Sequence, residues 1–144
     1  MTHSLTIGQL SRETNCKVPT IRYYEQIGLM PAPARSLGNQ RRYGPEHLAR
    51  LRFIQHCRVL GFPQQTIRDL LDLTNTPGGD CDAVTRIARS HLDEVNRRIA
   101  HLAALRSELE RMIDTCDGGQ ISECRIIGAL ADLARFPCRS DEPV

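Results

Sequence analysis

The sequence predicts a mainly helical chain, with short helices and one hairpin at the N-terminal end followed by a single very long helix. Three observations carry this. Pro and Gly recur through the first eighty residues and separate short amphipathic stretches. From Cys81 to Cys116 there is neither Pro nor Gly. Within that span, positions 81, 85, 88, 92, 95, 99, 102, 106, 109, 113 and 116 step by four and three and are mostly apolar, as in a coiled-coil seam.

The elements follow in order. "LTIGQLSRET" predicts a short helix, with Thr6 as its cap and Gln9 three residues on as the capping-box partner. After the turn "NCK", Pro19 suits the first turn of a second helix, "PTIRYYEQI", which Gly28 ends. Two short helices joined by a tight turn form the helix-turn-helix pattern, whose second helix enters the DNA major groove. "MPAPARSLGNQRRYG" is too rich in Pro and Gly for a helix and predicts a hairpin with a strongly basic tip. Pro45 opens a third helix, whose apolar stripe is expected at Leu48, Leu51, Ile54, Val59 and Leu60, and Gly61 closes it. "PQQTIRDLLDL" is a fourth helix, and "TNTPGGD" is a break. The helix over 81–116 would run roughly 50 Å at 1.5 Å per residue. Alone it cannot bury its seam, so it needs a partner. Beyond Gly118 and Gly119, Ser122 can cap a last short helix, "ECRIIGALADLA", before a tail. The expected domains are a DNA-binding domain at 1–74, a dimerisation helix at 81–116, and a metal-binding loop, short helix and tail at 117–144.

Charge divides the same way. Residues 1–70 hold ten Lys/Arg against four acids, net +6, and the remainder carries −4. A basic front half predicts nucleic-acid contact there. No apolar run reaches the eighteen or so residues of a membrane span, and no secretory leader is visible, so a cytoplasmic protein is expected. No Walker-type loop, G-x-G-x-x-G or G-x-S-x-G is present, and no Ser/His/acid set stands out. An enzyme is not expected.

In that compartment the six cysteines point to metal, redox chemistry or burial rather than a disulfide framework. Cys81 and Cys116 are five heptads apart, on one face at opposite ends of the long helix. In an antiparallel two-helix dimer the partner's Cys81 lands beside Cys116, and Cys124 returns there through the Gly-Gly loop. This predicts two three-thiolate sites per dimer, with Cys138 either a fourth ligand or a tail residue. Thiolates select soft or borderline ions over Mg²⁺ and Ca²⁺. Cys16 and Cys57 are expected to be buried, while His91 and His101 are expected to be solvated or interface residues. A Cys116–Cys124 redox switch is the rival, but it gives Cys81 no role.

"TIGQLSRETNCKVPTIRYYEQIGLMPAP" and "RSLGNQRRYGPEHLARLRFIQHCRVLGF" resemble the helix-turn-helix, wing and second helical pair of MerR-family transcriptional regulators. The long helix and cysteine loop resemble that family's metal-sensing branch. The resemblance implies a winged helix-turn-helix domain, a homodimer through an antiparallel coiled coil, and an operator between widely spaced promoter elements. Metal binding is then expected to twist and kink the DNA and realign those elements for RNA polymerase. By position, Thr20, Arg22 and Tyr23 are expected to face DNA, with Arg35, Arg41 and Tyr43 in the wing and Arg58 on a phosphate. Of Tyr23 and Tyr24, one is expected to pack in the core. The copper-sensing branch carries Ser where Cys81 stands, so the resemblance favours a divalent ion, cadmium, lead or zinc, with mercury also accommodated. The seven residues between Cys116 and Cys124 match the copper-type loop and keep a copper(I) sensor as an alternative.

Overall fold

The computed structural model describes residues 4–116, 118–121 and 124–132. Its element order is α1 (Ile7–Thr14), α2 (Val18–Gln26), β1 (Ala34–Arg35), β2 (Arg41–Arg42), α3 (Pro45–Val59), α4 (Gln64–Thr74), α5 (Cys81–Asp114) and α6 (Arg125–Ala131). Contacts divide the chain into two units, Met1–Ala88 and Arg89–Val144.

In the first unit, local chemistry sets each helix end. Thr6 caps α1 as expected: its hydroxyl accepts from the Gln9 N–H at 3.2 Å, and the Gln9 side chain accepts from the Thr6 N–H at 2.8 Å. Asn15 then turns the chain in the left-handed region at φ 53°, a conformation Asn tolerates better than most residues. Gly28 ends the α2 segment at φ 79°, where a side chain would be strained. The two strands pair antiparallel, Ala34 with Arg42 and Arg35 with Arg41. A bridge between Leu5 and Tyr43 ties the base of this hairpin to the segment before α1. Leu10, Ile21, Leu29, Met30, Tyr43, Leu51, Ile54 and Ile67 are fully buried and join all four helices and the hairpin in one core.

Two expectations are corrected here. The hairpin tip is not basic: the tip is Ser36–Asn39, and Arg35, Arg41 and Arg42 sit on the strands. The α3 stripe does not extend to its end, because Val59 and Leu60 are 85% and 64% exposed. The buried face of α3 runs through Leu51, Ile54 and Cys57. At 3.6 residues per turn, Val59 and Leu60 fall roughly 120–140° around the helix from the centre of that face.

The second unit is built differently. Of the 34 residues of α5, only Met112 is buried. The seam residues Leu92, Ile99, Leu102, Leu109 and Ile113 are each more than half exposed. Glu94–Arg97 and Glu108–Arg111 pairs decorate the helix at i,i+3. Cys124 occupies the N-cap position of α6. The expected cap Ser122 and the candidate ligand Cys138 lie outside the described residues. Among the described residues, no helix is long and apolar enough to cross a membrane.

Candidate nucleic-acid interface and metal centre

The sequence-predicted DNA residues separate into an outward set and one inward residue. On α2, Arg22 and Tyr23 are exposed and Thr20 is half-buried, whereas Tyr24 is buried. Thus one tyrosine of the pair packs and the other is offered outward. Arg22 and Arg41 converge on a cleft that Thr6, Ile7 and Gln40 complete, between the start of α1, α2 and strand β2. Arg35 is exposed on β1, and Arg58 is exposed on the last turn of α3. Exposed guanidinium groups can donate to phosphate oxygens and base edges.

Tyr43 is placed otherwise, and the expectation that it faces DNA is corrected. Its ring is fully buried, and its hydroxyl donates to Glu25 Oε1 on α2. Burial, followed by the Glu25 hydrogen bond and charge, pushes the phenol well above its ordinary pKa. The ring also meets His47 edge-on, with centroids 5.4 Å apart. Tyr43 therefore fastens the hairpin to α2 rather than reaching outward.

Other fastenings were invisible to the sequence. Arg50 Nε donates to the Leu29 carbonyl and Arg68 Nη2 to the Ile27 carbonyl, each at 2.6 Å. Both cations thus sit at the C-terminal end of α2, where the helix dipole and unpaired carbonyls favour positive charge. The Tyr23 hydroxyl donates to Gln64 Oε1 on α4 at 3.4 Å. Tyr23 and Ile27 are four residues apart, as are Gln64 and Arg68, so the two contacts form successive rungs between α2 and α4. Only the i,i+4 spacing within each helix was readable; the 41-residue separation across the rungs was not.

The cysteines also separate by environment. Cys16 and Cys57 are buried as expected, and burial pushes both thiols up. Cys81 is exposed at the first residue of α5. Cys116 and Cys124 are half-buried, and the loop between them contains Gly118 and Gly119 at φ 77° and 106°. The Ile127 and Ile126 N–H groups point toward Cys124 sulfur and hold its thiol below the ordinary range, although neither closes a cap hydrogen bond of standard geometry. A smaller contribution comes from a hydrogen bond with Cys116. Cys124, its thiol held low with Cys116 beside it, is thus the sulfur suited to a thiophilic ion. Among the described residues of a single chain, no group of three His, Cys, Asp or Glu side chains gathers.

With this geometry in place, relatives can be compared. Residues 5–74 match the family described as "MerR HTH family regulatory protein", and residues 48–112 match "MerR, DNA binding". The chain is 45% identical over 105 residues to the HTH-type transcriptional regulator ZntR homolog of Haemophilus influenzae, covering 73% of this chain and 78% of that one. It is 33% identical over 129 residues to the mercuric resistance operon regulatory protein of Serratia marcescens, covering 88% of each. Among solved structures, the transcription regulator PbrR691 from Ralstonia metallidurans in complex with lead(II) superposes with a TM-score of 0.80. That match has 39% identity and covers 88% of this chain and 99% of PbrR691.

Proposed function

Since the chain belongs to the MerR family of helix-turn-helix transcriptional regulators, we propose that it controls a metal-resistance or efflux promoter in response to a divalent soft metal ion. It binds promoter DNA as a homodimer through α2 and the hairpin, with Thr20, Arg22, Tyr23, Arg35, Arg41 and Arg58 on the contact surface. The α5 seams of two copies cover each other antiparallel, and the regulator acts in the cytoplasm beside RNA polymerase.

The observation that carries the metal reading is that Cys116 lies beside Cys124, whose thiol is held below its ordinary range, while no third ligand gathers there among the described residues of one chain. We assign the third ligand to the partner's Cys81, with Cys138 available as a fourth. Three thiolates suit lead or mercury, while zinc favours a tetrahedral set that Cys138 or water would complete. Lead, cadmium and zinc are the proposed ions, supported by the similarity to a lead(II)-bound regulator. The 33% identity to a mercuric resistance regulator supports mercury as the second reading. The bound ion would neutralise clustered thiolates and favour one arrangement of the two chains. That arrangement distorts the promoter, at a DNA deformation cost on the order of 1–6 kcal/mol. Differential metal affinity of comparable size is enough to shift the dimer between two states.

A mixed dimer tests the assignment. One chain carries Cys81→Ser, and the other carries Cys116→Ser. If ligands come from both chains, one site stays intact and thiolate-to-lead absorption titrates to one ion per dimer. Two crippled sites would show that each site is built from one chain.

A further inference from the structure

A cavity of about 360 Å³ lies beside the two cysteines, lined by Arg111, Met112 and Thr115 of α5 and by Arg125 and Asp132 at the two ends of α6. Thr115 immediately precedes Cys116, and Arg125 immediately follows Cys124. Met112 is buried and gives the cavity an apolar wall. Arg111 is braced: its Nε donates to Glu108 Oε2 at 3.0 Å and its Nη2 donates to Glu108 Oε1. Nη1 takes no part in that pair. Arg125 brings a second guanidinium, and Asp132 brings an acid.

The charges select the kind of occupant. Glu108 and Asp132 offset the two arginines, so the cavity suits a ligand that bears both signs rather than a bare anion. A carboxylate is matched by the planar guanidinium donors, and an ammonium group is matched by Asp132. The volume lies at the small end of ligand cavities, the size of an amino acid rather than a peptide. The cavity also stays open in a dimer. With 109 and 116 at the d positions of the heptad and 113 at an a position, Arg111 and Thr115 take f and c, on the side away from the seam.

We propose that this cavity receives the carboxylate and ammonium of a small amino-acid thiol that carries the metal ion, setting the ion beside Cys124 for transfer. This rests on the metal reading above. Soft ions favour thiolate ligands, and a reducing cytosol is rich in small thiols, so such an ion arrives already bound to sulfur. The transfer is a ligand exchange without oxidation. The Cys124 sulfur bonds to the ion as a thiolate, the bond from the ion to the carrier's sulfur breaks, and the carrier leaves as a thiolate that water protonates. The ion stays divalent. Arg111, Arg125 and Asp132 act as positioning residues that hold the carrier, and they make no bond to the ion.

The test uses the full chain and lead(II) presented in two forms, as its complex with L-cysteine and as its complex with 2-mercaptoethanol, which lacks both charged groups. Stopped-flow growth of the protein's thiolate-to-lead absorption gives the rate of uptake from each. Arg125→Ala should slow uptake from the cysteine complex by about tenfold, the effect of losing one charged hydrogen bond, and leave uptake from the mercaptoethanol complex unchanged. Arg97→Ala, which removes the same charge from the exposed surface of α5, should slow neither. Equal slowing in both arms, no slowing in either, or an equal loss in Arg97→Ala would overturn the carrier site while leaving the metal site standing. Failure of the wild-type chain to take lead from either complex would instead overturn the metal reading itself.

Discussion

The unit ending at Ala88 and the unit beginning at Arg89 bury their apolar side chains in opposite ways. In the first, eight large side chains are fully enclosed by their own chain. In the second, α5 presents Leu92, Ile99, Leu102, Leu109 and Ile113 with more than half of each exposed. One unit completes its core alone, whereas the other leaves exposed an apolar face of coiled-coil spacing. Leu51→Ala should therefore destabilise the chain by about 2–5 kcal/mol, the usual cost of a core truncation. Urea unfolding measures it, and the loss should not depend on protein concentration.

Ile99→Glu probes the other side of the contrast. At an exposed seam position it should leave the first unit folded but raise the dimer dissociation constant by about 100-fold, as for loss of a central interface anchor. Sedimentation at graded concentrations reads this directly. An unchanged dimer would mean that the seam is not the covered face. A parallel loss of urea resistance in the first unit would mean that the two units are not energetically separate.

Tyr43→Phe breaks the fastening between hairpin and α2. It removes one hydroxyl and leaves the half-buried Glu25 carboxylate short of a donor, a loss of about 1–3 kcal/mol. The pH dependence has a definite sign. Tyr43 has a folded pKa raised above its unfolded value near 10. Its contribution is therefore complete below about pH 10 and declines as pH rises from there toward the folded value. Wild-type stability should fall across that alkaline window, and the Phe variant should fall less steeply. Equal slopes would show that Tyr43 does not carry the dependence.

The same contrast explains what could be read from the sequence. The capping box at Thr6, the stop at Gly28 and the seam of α5 are local or periodic signals, and each stands where the spacing places it. Tyr43 could not be read: an Arg-Arg-Tyr run looks like a nucleic-acid contact until the hairpin turns the ring inward onto Glu25. Val59 and Leu60 mislead because apolar residues near a helix end look like part of its face, although their angular position lies off it. The arginine contacts to the Ile27 and Leu29 carbonyls depend on residues far apart in sequence, and no local pattern marks them. The nearness of Cys116 and Cys124 was legible in the glycine loop between them. The proposed third ligand, the partner's Cys81, follows from heptad counting along two antiparallel copies of α5.

The smallest expected effect is also the most local. Thr6→Ala removes the oxygen that accepts from the Gln9 N–H and leaves that first-turn donor to water. The expected loss is about 1 kcal/mol, typical of an N-cap. Thr6 also lines the cleft into which Arg22 and Arg41 converge. A purely structural cap should change urea resistance without changing the salt slope of DNA binding, whereas a phosphate seated in that cleft would couple the two. Measuring both on one variant therefore separates the cap from the cleft. Thr6→Ser, which keeps the oxygen and drops only the methyl, should restore both.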